Sequence, residues 1–260
     1  MRFVARRRAR IAAGIAAALA LVVGALEIYT RQPVPAAAPA LDLPAGVRTL
    51  VLVIHGSGDE DDPLLGDIVT GLTARYRDMP DSAVRFVDWA PASDTRLRAA
   101  ATAQAIGGEL GGILSGVGTL RELHIIAHSS GAFMPDAICT AYRAGNPQPA
   151  RVTMVLLDPF QIRGFVDLTY GARLHGECAD FALAVINTDD PAPATNRPLE
   201  QAINLDITSL GPPAGFPRNG HYWPLLYYRD HLLNEQVAIA RWSHADKTRG
   251  EVRVVAGELP

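Results

Sequence analysis

The sequence predicts an α/β domain, a mostly parallel sheet with helices on both faces, preceded by an N-terminal hydrophobic helix. Three observations carry this. Short continuous apolar runs alternate with longer segments of three-to-four apolar spacing, the pattern of strands buried on both faces and of the helices that cover them. Several runs stop at polar or glycine-rich residues, as strands do where their carboxyl ends border a ligand crevice. The 260 residues are 48% apolar and carry a net charge of only −3, enough to bury one core of ordinary size.

In chain order, residues 1–10 hold five arginines (Arg2, Arg6, Arg7, Arg8, Arg10) and read as a basic cytoplasmic segment. Residues 11–29 follow as a hydrophobic helix whose uncharged run, Ile11 to Leu26, has 16 residues. That lies between a signal-peptide core and a full span, so an uncleaved anchor and a cleaved signal both stay open, with cleavage at Val23-Gly24-Ala25 or Ala38-Pro39-Ala40. The arginines favour the cytoplasmic side and put the body outside it, periplasmic or extracellular, and secreted if the signal is removed. Residues 30–46 are rich in Pro and Ala, an extended tether. The folded body is expected over residues 47–260.

Within the body, residues 49–54 read as a buried strand ending in His55-Gly56-Ser57-Gly58. Residues 63–79 read as a helix, 83–89 as an alternating strand, and 95–113 as an Ala-rich helix weakened by glycines. Residues 123–127 form a short strand, 131–143 a helix with Pro135 in its first turn, and 152–157 and 181–187 two more strands. Residues 225–240 make the last helix.

Composition excludes several functions. Without the five N-terminal arginines the net charge falls from −3 to −8. So acidic a body cannot neutralise phosphates, so nucleic acid is not a partner. No Gly-Lys-Ser/Thr tripeptide exists, and Lys247 is the single lysine, which rules out a P-loop. Two cysteines, Cys139 and Cys178, are too few for a thiolate zinc site; outside the cytoplasm they are expected to pair.

The chemistry-bearing segment is Ala127-His128-Ser129-Ser130-Gly131, between a strand and a helix. A serine on so sharp a turn needs small residues two before and two after it. Ala127 and Gly131 satisfy this around Ser129; around Ser130 the bulky His128 would not. The competing explanation is a serine that merely caps a helix. Together with the upstream His-Gly turn, this elbow resembles the α/β-hydrolase fold and, within it, serine esterases and lipases in which alanine replaces the first glycine of G-x-S-x-G. The resemblance covers roughly residues 49–235.

That resemblance implies carboxylic ester hydrolysis by a Ser-His-Asp triad through an acyl-enzyme, with the backbone N–H groups of Ser57 and Ser130 as the oxyanion hole. It also sets the chain order serine, acid, histidine. Asp158 is the favoured acid, because Leu157-Asp158-Pro159 resembles the acid segment of pancreatic-type lipases. Asp189 comes next, since Asp189 and Asp190 end the following strand. His221, in a turn-rich loop before the last helix, is the base; His124 is structural, His175 too early, and His231 and His244 surface residues. Asp59 to Asp62 read as a solvated acidic loop. No metal or organic cofactor is called for. The expected partners are a small-molecule or lipid ester and a membrane held by the N-terminal helix; the sequence sets no oligomeric state. An acyltransferase or thioesterase on the same triad, and an inactive hydrolase fold used as a binding module, are the alternatives.

Overall fold

The computed structural model describes residues 2–190, 194–245 and 247–256. A helix α1 (Arg2–Arg31) leads into a body with strands β1 (Thr49–Ile54), β2 (Ser82–Val87), β3 (Glu122–His128), β4 (Arg151–Leu157), β5 (Phe181–Ile186), β6 (Ile203–Asp206) and β7 (Val252–Val254). Between them run α2 (Pro63–Tyr76), α3 (Ala99–Ser115), α4 (Met134–Gly145), α5 (Tyr170–Leu174), α6 (Trp223–Tyr227) and α7 (Gln236–Ile239). The strands form one sheet in the order β2-β1-β3-β4-β5-β6-β7, every pairing parallel. This is an α/β-hydrolase fold preceded by an apolar helix.

The apolar runs are strands because both faces are covered. Along β1, Leu50, Leu52 and Ile54 enter the core under α3 and α4, while Val51 and Val53 enter the opposite core under α2 and α6. Each such side chain contributes about 1.5–3 kcal/mol by leaving water. The register pairs Ile54 with Ala127, Ala127 with Leu156, and Leu157 with Val185. The residues that follow these strands therefore emerge along one edge of the sheet. Two glycines of α3 have a packing reason. A Cβ on Gly107 would lie 2.7 Å from the Met134 carbonyl, and one on Gly111 2.3 Å from that of Ile138. Their absence of side chains lets α4 sit against α3.

Several elements differ from the sequence-based expectation. The single helix over 225–240 is a broken series of α6, a π turn (Tyr228–Leu232), a 3-10 turn and α7. Leu225, Leu226, Tyr227 and Tyr228 are all buried, so this segment is covered on every side rather than along one amphipathic face. The helix after the elbow begins with a 3-10 turn (Ser129–Phe133) before α4. Strands β6 and β7, of four and three residues, are too short to show in the apolar pattern, and β7 lies exposed at the edge.

Helix α1 contains an apolar stretch, Ile11–Arg31, long and apolar enough to cross a membrane, and its residues from Ile11 to Leu26 are all exposed. The following Pro/Ala-rich segment is extended, yet it lies along the body rather than free of it. The Val34 N–H donates to Thr102 Oγ1 (2.9 Å), the Ala38 N–H to Glu109 Oε2 (3.0 Å), and Leu41 is buried. Cys139 on α4 and Cys178 after α5 form a disulfide, the pairing expected from the sequence.

Candidate active site

Four strand ends meet at the sheet edge. After β3 the chain turns sharply, and Ser129 takes a φ of 53°, a left-handed conformation that costs a non-glycine residue energy and persists only where packing enforces it. Gly131 provides part of that enforcement. A Cβ there would lie 2.4 Å from the His55 carbonyl oxygen, so a larger residue would push the elbow off the end of β1. Asp158, directly after β4, also has a positive φ (43°) and is fully buried. Its N–H donates to the Val185 carbonyl (2.9 Å) and its Oδ1 accepts from the Asn187 N–H (3.2 Å), which ties it to β5.

His221 arrives from the loop before α6. The side chain of Asn219 accepts from the His221 N–H (3.1 Å), and Asn187 Nδ2 donates to the Gly220 carbonyl (3.1 Å). Held so, His221 Nε2 lies 2.8 Å from Ser129 Oγ and Nδ1 lies 2.7 Å from Asp158 Oδ2. When Nδ1 carries the proton and donates it to the Asp158 carboxylate, Nε2 presents its lone pair to the serine hydroxyl, the arrangement needed for removing that proton.

A second carboxylate reaches the same imidazole. Asp190 Oδ2 is 3.1 Å from His221 Nδ1 and accepts from the Thr195 hydroxyl (2.8 Å). The acid expected after Asp158 is Asp189, but Asp189 is exposed and Asp190 is buried. The reason is a turn anchored on Asn187. Its side chain accepts from the Asp189 N–H and its carbonyl from the Asp190 N–H, so the chain reverses and the second aspartate points inward. Burial pushes the Asp158 carboxyl up to about 7, with Asp190 adding to the rise and His221 opposing it. Burial alone would lower the His221 pKa, but hydrogen bonds to Asp158 and Asp190 outweigh it and raise it to about 9. These three residues offer ligand atoms within 4.8 Å of one another. A cation at that point would replace the Nδ1 proton that now joins them.

The acidic stretch after the His-Gly turn is not a solvated loop. Asp59 and Asp62 are buried. Asp62 caps α2 by accepting from the Leu64 N–H (2.8 Å) and pairs with Arg218. Asp59 accepts from His128 Nδ1 (2.9 Å) and from the Tyr222 hydroxyl (2.8 Å). Burial opposes ionisation of Asp59, but the hydrogen bond from His128 outweighs it and holds the carboxyl down at about 2. The ring of His128 lies 4.7 Å from that of His221. Asp59 thereby links the elbow, the His-Gly turn and the loop of His221.

Ser57 and Ser130 lie together, their hydroxyl oxygens 2.9 Å apart. The Ser57 N–H makes no backbone–backbone hydrogen bond among the described residues. Both serines line a cavity of about 300 Å³ with Ser129, His221, Arg96 and Phe160, within the size range of small-molecule sites. The other histidines have structural surroundings: His55 accepts from the Trp89 N–H (3.0 Å), His175 donates to the Phe160 carbonyl (2.9 Å), and His244 accepts from the Ala182 N–H (3.1 Å). His124 is buried within β3, and the His231 ring lies 4.9 Å from that of Tyr227.

No family model matches the chain, and no curated protein matches it. Among solved structures it is similar to lipase B of Aspergillus fumigatus, at 11% identity over 60% of this chain and 44% of that one, with a TM-score of 0.32. The chain spans less than half the length of that protein, and a likeness this distant leaves function to be argued from the residues.

Proposed function

We propose that this chain is a serine hydrolase that cleaves carboxylic esters at a membrane, with Ser129 as nucleophile, His221 as general base and acid, and Asp158 as the residue that orients the imidazole. The observation that carries the proposal is the unbroken relay from Ser129 Oγ to His221 Nε2 (2.8 Å) and from Nδ1 to Asp158 (2.7 Å) at the wall of an accessible cavity.

The steps follow from the donors and acceptors. His221 Nε2 takes the Ser129 proton as the oxygen attacks the ester carbonyl. The negative charge formed on the carbonyl oxygen is received by the N–H groups of Ser57 and Ser130, each such donor being worth roughly 10²–10³ in rate. The imidazolium returns the proton to the departing alcohol, leaving an ester on Ser129. Water then enters, is deprotonated by the same nitrogen, and releases the acid. No metal or organic cofactor takes part in these steps. The apolar α1 and the Cys139–Cys178 disulfide support a body outside the cytoplasm, held by its N-terminal helix.

The test is a panel of soluble and bilayer-embedded carboxylic esters with the full chain. Turnover with a pre-steady-state burst is expected, and Ser129→Ala should lower kcat by about 10⁴–10⁶-fold if the three residues act as a unit. Release of acyl-alcohol products in place of free acid would assign acyl transfer instead. Absence of turnover on every ester, with the chain folded, would overturn the proposal.

A further inference from the structure

We infer that the rim of the cavity is itself a membrane-docking surface, seated on the bilayer leaflet from which α1 emerges, so that the ester enters from the lipid phase. Outside α1, four large apolar side chains stand exposed on two neighbouring segments: Leu97 (57% exposed), and Phe165, Val166 and Leu168 (44%, 61% and 53%) in the loop between β4 and α5. Both segments are tied to the last turns of α1. The Glu27 carboxylate accepts from the N–H groups of Phe165 (2.6 Å) and Val166 (3.2 Å). On the other side, the Arg98 guanidinium sits 5.2 Å from the Tyr29 ring centre and donates to the carbonyls of Gln32 (2.7 Å) and Pro33 (2.6 Å).

The occupant follows from the helix. The stretch Ile11–Arg31 has 21 residues, which at about 1.5 Å per residue just crosses the hydrocarbon of a bilayer. Its far end, where Tyr29 and Arg31 stand, is then at the headgroup boundary, the level such residues prefer. The loop bound to Glu27 and the turn bound to Tyr29 lie at that same level, and so do their exposed apolar side chains. An apolar patch continuous with a membrane-crossing helix meets lipid before it meets anything else.

The patch also borders the cavity. Arg96 and Phe160 line it beside Ser129; Leu97 directly follows the first, and the second lies in the same loop as Phe165, Val166 and Leu168. A bilayer-resident ester thus passes from the acyl region to Ser129 without crossing bulk water. This consequence for the substrate rests on the proposed hydrolase; the docking surface does not.

The test uses the full chain, with α1 intact by mass, reconstituted in phosphatidylcholine vesicles with or without brominated acyl chains. In Phe165→Trp, the added emission should fall by about half or more in brominated vesicles. In Ile113→Trp, at the far end of α3, it should be unchanged. In a second arm, Leu97→Asp with Phe165→Asp should lower turnover of a bilayer-embedded ester by about tenfold and leave a soluble short-chain ester untouched. Unquenched emission from Trp at position 165 would overturn the inference, and a blue shift without quenching would assign the patch to a protein partner instead. Equal effects of the double substitution on both esters would also overturn it. If the wild type turned over neither ester while quenching persisted, the hydrolase proposal alone would fall.

Discussion

Replacing Asp190 by Asn should move the pH dependence of the reaction to lower pH, and the structure sets the size of the shift. His221 Nδ1 has two carboxylates within reach, at 2.7 Å (Asp158) and 3.1 Å (Asp190), and its pKa is raised to about 9. A base must be unprotonated to accept the Ser129 proton. A raised imidazole pKa therefore makes kcat/KM climb through the alkaline range. One unit charge about 4 Å from another is worth up to about 4 kcal/mol at an effective dielectric of 20, or roughly three pKa units. Asp190 stands farther from Nδ1 than Asp158 and shares the imidazole with it, so about half that effect is taken for Asp190. The midpoint of log kcat/KM should fall by roughly one to two pH units in Asp190→Asn, with the alkaline plateau largely kept. Asp158→Asn should instead lower the plateau itself, by about 10⁴-fold where the tautomer is lost. The assay is initial-rate kinetics on a soluble ester from about pH 5 to 10. An unmoved or raised midpoint in Asp190→Asn would refute the electrostatic reasoning. A plateau lost in Asp190→Asn and kept in Asp158→Asn would exchange the roles of the two aspartates.

Three further outcomes follow from the packing. Gly131→Ala should destabilise by about 1–3 kcal/mol in urea unfolding and lower turnover at the same time, because its Cβ would press on the His55 carbonyl at 2.4 Å; unchanged stability would contradict that close approach. Cys139→Ser with Cys178→Ser opens a link across 39 residues, so chain entropy predicts a loss of about 4 kcal/mol, read as a lower midpoint in denaturant. Asp59 has a folded-state pKa of about 2 against the ordinary aspartate value of 3.8, a depressed value. Its contribution, about 2 kcal/mol, is therefore present above about pH 4 and is lost as pH falls through 2. Asp59→Asn should be less stable than wild type at neutral pH and converge with it in acid; a gap that persists at pH 2 would contradict the assignment.

How much of this could be read from the residues depends on where each signal resides. Strands β1, β3, β4 and β5 are legible because both their faces are buried, which leaves uninterrupted apolar runs such as Leu50 to Ile54. The elbow is legible because its steric demand falls on adjacent residues, Ala127 and Gly131. Asp190 is not, because its choice over Asp189 is made by a turn on the side chain of Asn187. Asp59 and Asp62 have the appearance of a hydrated charge run; their partners His128, Tyr222 and Arg218 are 69, 163 and 156 residues away, and only the fold brings them in. The last helix misleads for a related reason. Its apolar residues satisfy a helical pattern, but the pattern does not show where the regular helix passes into the π turn at Tyr228–Leu232.

The most direct measurement is reaction of the full chain with a fluorophosphonate, followed by peptide mapping of the adduct. One phosphonyl group on the Ser129 oxygen is predicted, absent in Ser129→Ala and formed far more slowly in His221→Ala. An adduct on Ser57 or Ser130, or none on a folded chain, would contradict an activated hydroxyl at position 129.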